Sequence, residues 1–210
     1  MKNFFIGIPT INRADLLNEA LKKYALDFPS IHIIVLDNGD QEIWQGADNI
    51  YVFNFGKNYG VARSWNWLME QGFQIGYENA LILNDDIYLG KTEAQIEDYI
   101  NKYPEHGFFV GKEVNWSSFI VRKSTLETVG GFDVAFFPAY FEDNDFCYRM
   151  RLKGITRDQD YFLNPEVYRN SMTIAKEPSL NANFEKNRAY FVKKWGGQPT
   201  KEKYTKPFNE

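Results

Sequence analysis

Apolar residues follow two alternating rhythms along this chain. Short, mostly apolar runs at residues 4–8, 31–36, 50–55 and 80–83 are too brief for helices and read as strands, the last of them buried. Between them, apolar positions recur every three or four residues: Leu16, Leu17, Ala20, Leu21 and Tyr24, then Val61, Trp65, Leu68 and Met69. That spacing predicts amphipathic helices, the first with Asn12 as its N-cap. Strand-helix alternation over the first hundred residues predicts an α/β fold, a mostly parallel, Rossmann-like sheet flanked by helices on both faces.

The second half is less regular. Residues 92–103 read as a helix closed by Pro104, residues 108–111 and 119–122 as strands, and 124–129 as a short helical turn ended by Gly130-Gly131. An aromatic loop, 132–141, feeds a helix whose first turn holds Glu142, Asp143 and Asp145. Acids there also suit ordinary capping and the helix dipole. Phe146, Met150 and Lys153 share a face of that helix, and Gly154 stops it. Residues 156–163 read as a strand and 168–178 as a loop. Residues 184–195 form the last helix, with Phe184, Arg188, Phe191 and Trp195 on one side. The polar tail 199–210 is expected to be mobile.

Composition narrows the class. The 210 residues suit one domain, and a hydrophobic fraction of 44% suffices for a packed core. A formal charge of -4 argues against bare nucleic acid as the general partner. One cysteine, Cys147, excludes a disulfide framework and a thiolate zinc site, and His32 and His106 are too few for a His-rich metal centre. No run is long enough to span a membrane, and the start, Met1-Lys2-Asn3-Phe4-Phe5, lacks a signal-peptide pattern. A cytoplasmic setting is the default expectation.

Candidate chemistry gathers at the strand ends. Ligands of open α/β sheets bind outside the carboxyl ends of the strands. The first strand leads into the loop 9–13, without the glycine fingerprint of dinucleotide binding. The second ends at Asp37-Asn38-Gly39, either a ribose- or base-binding acid or a glycine turn. The third is followed by Asn58-Tyr59-Gly60, then by Arg63, which faces either a phosphate or solvent. The fourth ends at Asn84-Asp85-Asp86. Two adjacent carboxylates at such an exit attract a hard cation, Mg²⁺ or Mn²⁺, through oxygen. The same residues also make a good solvated turn. Phe136, Phe137, Tyr140, Phe141 and Trp116 are either an acceptor-binding wall or core.

Taken together in this order, these pieces resemble a family-2-type glycosyltransferase of the GT-A fold, over residues 4–197. Pro9-Thr10-Ile11-Asn12-Arg13 and Asp37-Asn38-Gly39 are similar to the family's nucleotide-binding loops. Asn58-x-Gly60, with Arg63 and Asn66, resembles its donor-covering segment. Asn84-Asp85-Asp86 looks like its metal-binding Asp-x-Asp element with the first acid replaced. Gly130-Gly131-Phe132-Asp133 and Glu142-Asp143-x-Asp145-Phe146 resemble its acceptor and catalytic segment, and 187–197 its closing helix. The resemblance implies a single GT-A domain, with a nucleotide-sugar half at 1–90, an acceptor and catalytic half at 91–197, and the tail 198–210.

It further implies an inverting transfer from a nucleoside diphosphate sugar, UDP-linked, to an acceptor hydroxyl. The implied roles are a cation on Asp86 and Asp85, donor contacts from Pro9, Thr10, Asn12, Arg13, Asp37, Asn38, Asn58, Gly60, Arg63, Asn84 and Asp85, and Asp143 as general base. Glu142 and then Asp145 are the fallbacks. The acceptor stays open among a glycan, a lipid-linked glycan, a protein and a modified nucleobase. A nucleotide-sugar- or carbohydrate-binding module without turnover is the alternative. One departure stands out: family members often carry a metal-binding His after the catalytic helix, and residues 167–171 contain none. Asn170 is a possible substitute, or Arg169 meets phosphate directly.

Overall fold

The computed structural model describes residues 3–168, 173 and 176–210. Its centre is a seven-stranded sheet. In chain order the elements are β1 (Phe4–Thr10), α1 (Ala14–Asp27), β2 (Ile33–Asp37), β3 (Ile50–Asn54), α2 (Val61–Gln74), β4 (Asn79–Leu83), β5 (Ile87–Tyr88), α3 (Glu93–Lys102), β6 (Phe108–Gly111), β7 (Asn115–Arg122), α4 (Lys123–Val129), α5 (Glu142–Leu152), β8 (Asp158–Asp160), β9 (Val167–Tyr168) and α6 (Phe184–Trp195). The strand order is β3-β2-β1-β4-β7-β6-β8, with β5 and β9 forming a separate pair. The four strands β1 to β4 run parallel, and β7 is antiparallel to both its neighbours. The sheet is thus mostly parallel, as the alternating pattern predicts.

Unbroken apolar runs are needed because both faces are covered. Phe4, Ile6, Ile8, Val35 and Leu81 face Leu17, Leu21 and Tyr24 of α1 and the buried side of α3. Phe5, Ile34, Leu36, Ala80 and Ile82 face Trp65, Leu68 and Met69 of α2. Contact is closest at Gly72, where an added methyl would land on the buried Phe5 ring. Gly72→Ala is therefore expected to cost about 1–3 kcal/mol through overpacking, read as a lower urea midpoint at unchanged slope.

Four sequence expectations are corrected. Asn12 is not the N-cap of α1: Arg13 holds that place, and Asn12 sits at φ 54, its amide donating to Glu177 (2.7 Å). The strand expected over 156–163 shrinks to three residues, because Asp160 caps a 3-10 turn at Tyr161–Leu163. The buried face of α6 is Asn187, Phe191, Lys194 and Trp195, with Phe184 and Arg188 exposed. The tail is docked: Lys203 and Tyr204 donate backbone N–H groups to the Trp195 carbonyl, and Tyr148 donates to the Tyr204 carbonyl (2.6 Å). No helix among the described residues is long and apolar enough to cross a membrane.

Candidate active site

The carboxyl ends of β1, β2 and β4 open onto one cleft of about 350 Å³, closed opposite by the start of α5. It brings together Pro9, Thr10, Asn38, Asn58, Gly60, Asn84, Asp85, Asp86, Glu142 and Asp143. Two acids from the end of a strand and two from the start of a helix, nearly sixty residues apart in the chain, thus face one hollow.

Asp85 and Asp86 are both almost fully buried. Asp85 takes hydrogen bonds from the hydroxyls of Thr10 (2.8 Å) and Thr173 (2.7 Å). Burial nevertheless pushes its pKa up to about 6, and the neighbouring Asp86 charge adds to the shift. An unfolded chain releases this proton near 3.8. The native state therefore holds more protons between those values, and the stability this carboxyl contributes is lost as pH rises through about 6. In chelator, the melting temperature is expected to fall over that window, and Asp85→Asn to flatten that part of the profile.

Glu142 and Asp143 occupy the first turn of α5. Burial, then the Asp143 charge, raises the Glu142 pKa well above the ordinary carboxylate value, and among the described residues its Oε2 has no hydrogen-bond partner. Burial also raises Asp143, but Asn144 opposes the shift by donating its backbone N–H (2.7 Å) and side-chain amide (2.8 Å) to Oδ1. Two buried like charges cannot both ionise cheaply, so Asp143 loses its proton first.

The polar frame explains why these groups converge. Asn38 follows β2, donates to Ser64 (2.9 Å) and accepts the Tyr59 backbone N–H (3.1 Å), tying the second strand exit to the start of α2. Gly60 has φ 82, and a side chain there would strike Phe137 and Pro138. Its neighbour Val61 donates to the Pro138 carbonyl (2.8 Å), joining the donor-side helix to the loop before α5. Asn66 does not enter the cleft lining: it pairs reciprocally with the Phe132 backbone, at 2.7 and 2.8 Å.

Other expected site residues lie outside that lining. Asp37 is fully buried and accepts from Gly39, Gln41 and Asn54, so its carboxylate closes its own turn. Arg13 is buried and bonds Asp15 (3.1 Å). Asn12 holds Glu177, and the exposed Arg63 stacks on Tyr59. Asp145 is spent on Trp195, Lys194 and Arg149. Of the aromatic wall, Trp116 and Tyr140 line the cleft, Phe136 and Phe141 pack in a core cluster with α6, and Phe137 is exposed. Arg169 and Asn170 lie outside the described residues. Ser64, Thr173 and Leu180 were not anticipated as cleft residues. Ser64 is signalled only by a small polar residue on the buried face of α2; nothing in the sequence marks the other two.

Among the described residues, no three His, Cys, Asp or Glu side chains come together as a metal site. Among the described residues the cleft lining nevertheless carries four carboxylates and no Lys, Arg or His. These groups by themselves would repel a diphosphate unless a cation accompanied it. Mg²⁺ needs only one or two protein carboxylates beside substrate phosphates, so the donor set fits a divalent ion.

This mostly parallel sheet flanked by helices is an α/β fold of the GT-A type, the fold of its structural neighbours among the glycosyltransferases. The comparisons agree. TarS 1-349 of S. aureus, solved in complex with UDP, superposes with a TM-score of 0.53 at 15% identity, over 70% of this chain and 54% of that one. A second TarS 1-349 structure gives the same TM-score at 16% identity, over 71% and 55%. A "Galactofuranosyl glycosyltransferase" of Leishmania donovani is 31% identical over 93 residues, 43% of this chain but only 19% of that protein. No family model matches. The chain thus spans about half of TarS 1-349 and about a fifth of its curated relative.

Proposed function

We propose that the protein transfers a sugar, with inversion, from a UDP-linked nucleoside diphosphate sugar to an acceptor hydroxyl. The observation that carries this reading is the single cleft shared by Asp85 and Asp86 with Glu142 and Asp143. Asp86 and Asp85 would hold Mn²⁺ or Mg²⁺, which when bound supplies charge stabilisation to the departing diphosphate. Pro9, Thr10, Asn38, Asn58 and Gly60 form the donor side of the hollow. Asp143 takes the proton of the acceptor hydroxyl as the bond to the sugar forms. Glu142, kept protonated by burial and by Asp143, adds no second negative charge beside the diphosphate. A base on the wall opposite the leaving group supports in-line displacement, hence inversion.

The acceptor stays open to a glycan, a lipid-linked glycan, a protein or a modified nucleobase. The partial relative makes UDP-galactofuranose the first donor to try. Thermal shift and calorimetry with UDP and UDP-sugars, with and without Mn²⁺, test the reading: Mn²⁺-dependent UDP binding is expected, followed by UDP release with product. Absence of binding would reject it. The small set of metal ligands favours one alternative, a sugar-nucleotide-binding module. It predicts binding of the intact donor without turnover.

A further inference from the structure

The residues that deliver the two helix-start acids are held in an unusual backbone. Tyr140 and Phe141 sit at φ 78 and 74, the left-handed region, which bulky residues rarely adopt. Such a conformation persists only where surroundings over-determine it. Besides the Val61 bond to Pro138 on the α2 side, several of them come from α6 and the turn before it. The buried amide of Asn187 on α6 reaches the carbonyls of Ala139 (2.8 Å), Phe137 (3.3 Å) and Tyr140 (3.4 Å). Asn183 adds a bond to the Phe137 carbonyl (3.0 Å), and Tyr140 donates to Asn181 (2.6 Å). The Phe141 ring packs against Phe184 and Phe191.

Two turns further along α6, Lys194 and Trp195 grip Asp145 (2.6 and 2.8 Å), just past the acids. Spacings of seven and eight residues put Asn187 on the same helix face as this second grip. Glu142 and Asp143 therefore lie between two clamps set by one helix, and of the two only Asn187 acts on the strained approach. We infer that Asn187 is a positioning residue: it locks the left-handed Tyr140-Phe141 pair and so fixes where Glu142 and Asp143 enter the cleft. Its catalytic consequence rests on the transferase reading above; the lock itself does not.

The test uses Asn187→Leu, which keeps bulk near the original and removes both N–H donors. Amide exchange over residues 139–143 is expected to quicken at least tenfold, with exchange in β1 and β4 unchanged. UDP binding in Mn²⁺ should stay within about twofold. UDP-sugar turnover should fall on the order of 100-fold in kcat with the donor KM unchanged, since a misplacement of about 1 Å has that effect. Unchanged exchange at 139–143, exchange quickened throughout the sheet, or donor binding lost in proportion to kcat would each overturn the inference. If wild-type protein turns nothing over while exchange responds as expected, the lock stands and the transferase reading falls. Should Asn187→Leu fail to fold, Asn183→Ala, which removes one bond from the same loop, is expected to move both readouts in the same direction by less; no movement would overturn the lock.

Discussion

Asp143→Asn is expected to keep donor binding and to lose roughly 10²- to 10⁴-fold in kcat, the usual contribution of a positioned base. The substitution preserves size and one acceptor oxygen, so the turn with Asn144 can survive. What disappears is the only group of the pair placed to be ionised. Glu142 is held protonated by burial and by its neighbour's charge, and Asp145 is consumed by Lys194, Trp195 and Arg149. Asp143, raised by burial, is a stronger base than an exposed aspartate while still being the first of the two to ionise. Calorimetry with UDP and Mn²⁺ should give a Kd within about twofold of wild type, while UDP release in the presence of acceptor nearly stops. Full turnover in this variant would move the proton elsewhere.

Asp86→Ala is expected to weaken Mn²⁺-dependent UDP binding on the order of 100-fold, with little effect on any binding measured in chelator. Among the described residues the cleft lining offers an anionic ligand four carboxylates and no cationic side chain, so donor affinity is expected to depend on the cation these acids would hold. Both oxygens of Asp85 accept threonine hydroxyls, which hold this carboxyl in place beside Asp86. Equal UDP binding with and without Mn²⁺ in wild-type protein would refute the cation's role.

The strands carrying the site were legible because they are buried on both faces, which demands continuous apolar runs that no helix of this length shows. The acids were legible because a polar break after such a run marks a sheet's open end. Asp37, Asn12 and Arg13 share that signature, yet Asp37 and Arg13 bond neighbours in the chain and Asn12 bonds Glu177, far along it. A carboxylate that closes its own turn and one that waits for a ligand look alike in one dimension. Thr173 and Asn187 carried no usable signal, since each acts on groups 88 and roughly 50 residues away. The docked tail was missed for a related reason: its polar composition conceals the backbone bonds to Trp195 and the packing of Tyr204 at Gly196.

The order of apolar runs and polar breaks by itself determined a mostly parallel α/β sheet with acids at its carboxyl edge, because periodicity is a property of neighbouring residues. Only the tertiary structure decided which acids meet in the cleft, which are consumed elsewhere, and how Glu142 and Asp143 come to differ in protonation. Those outcomes depend on desolvation and on partners brought in from distant parts of the chain, and neither is written in local spacing.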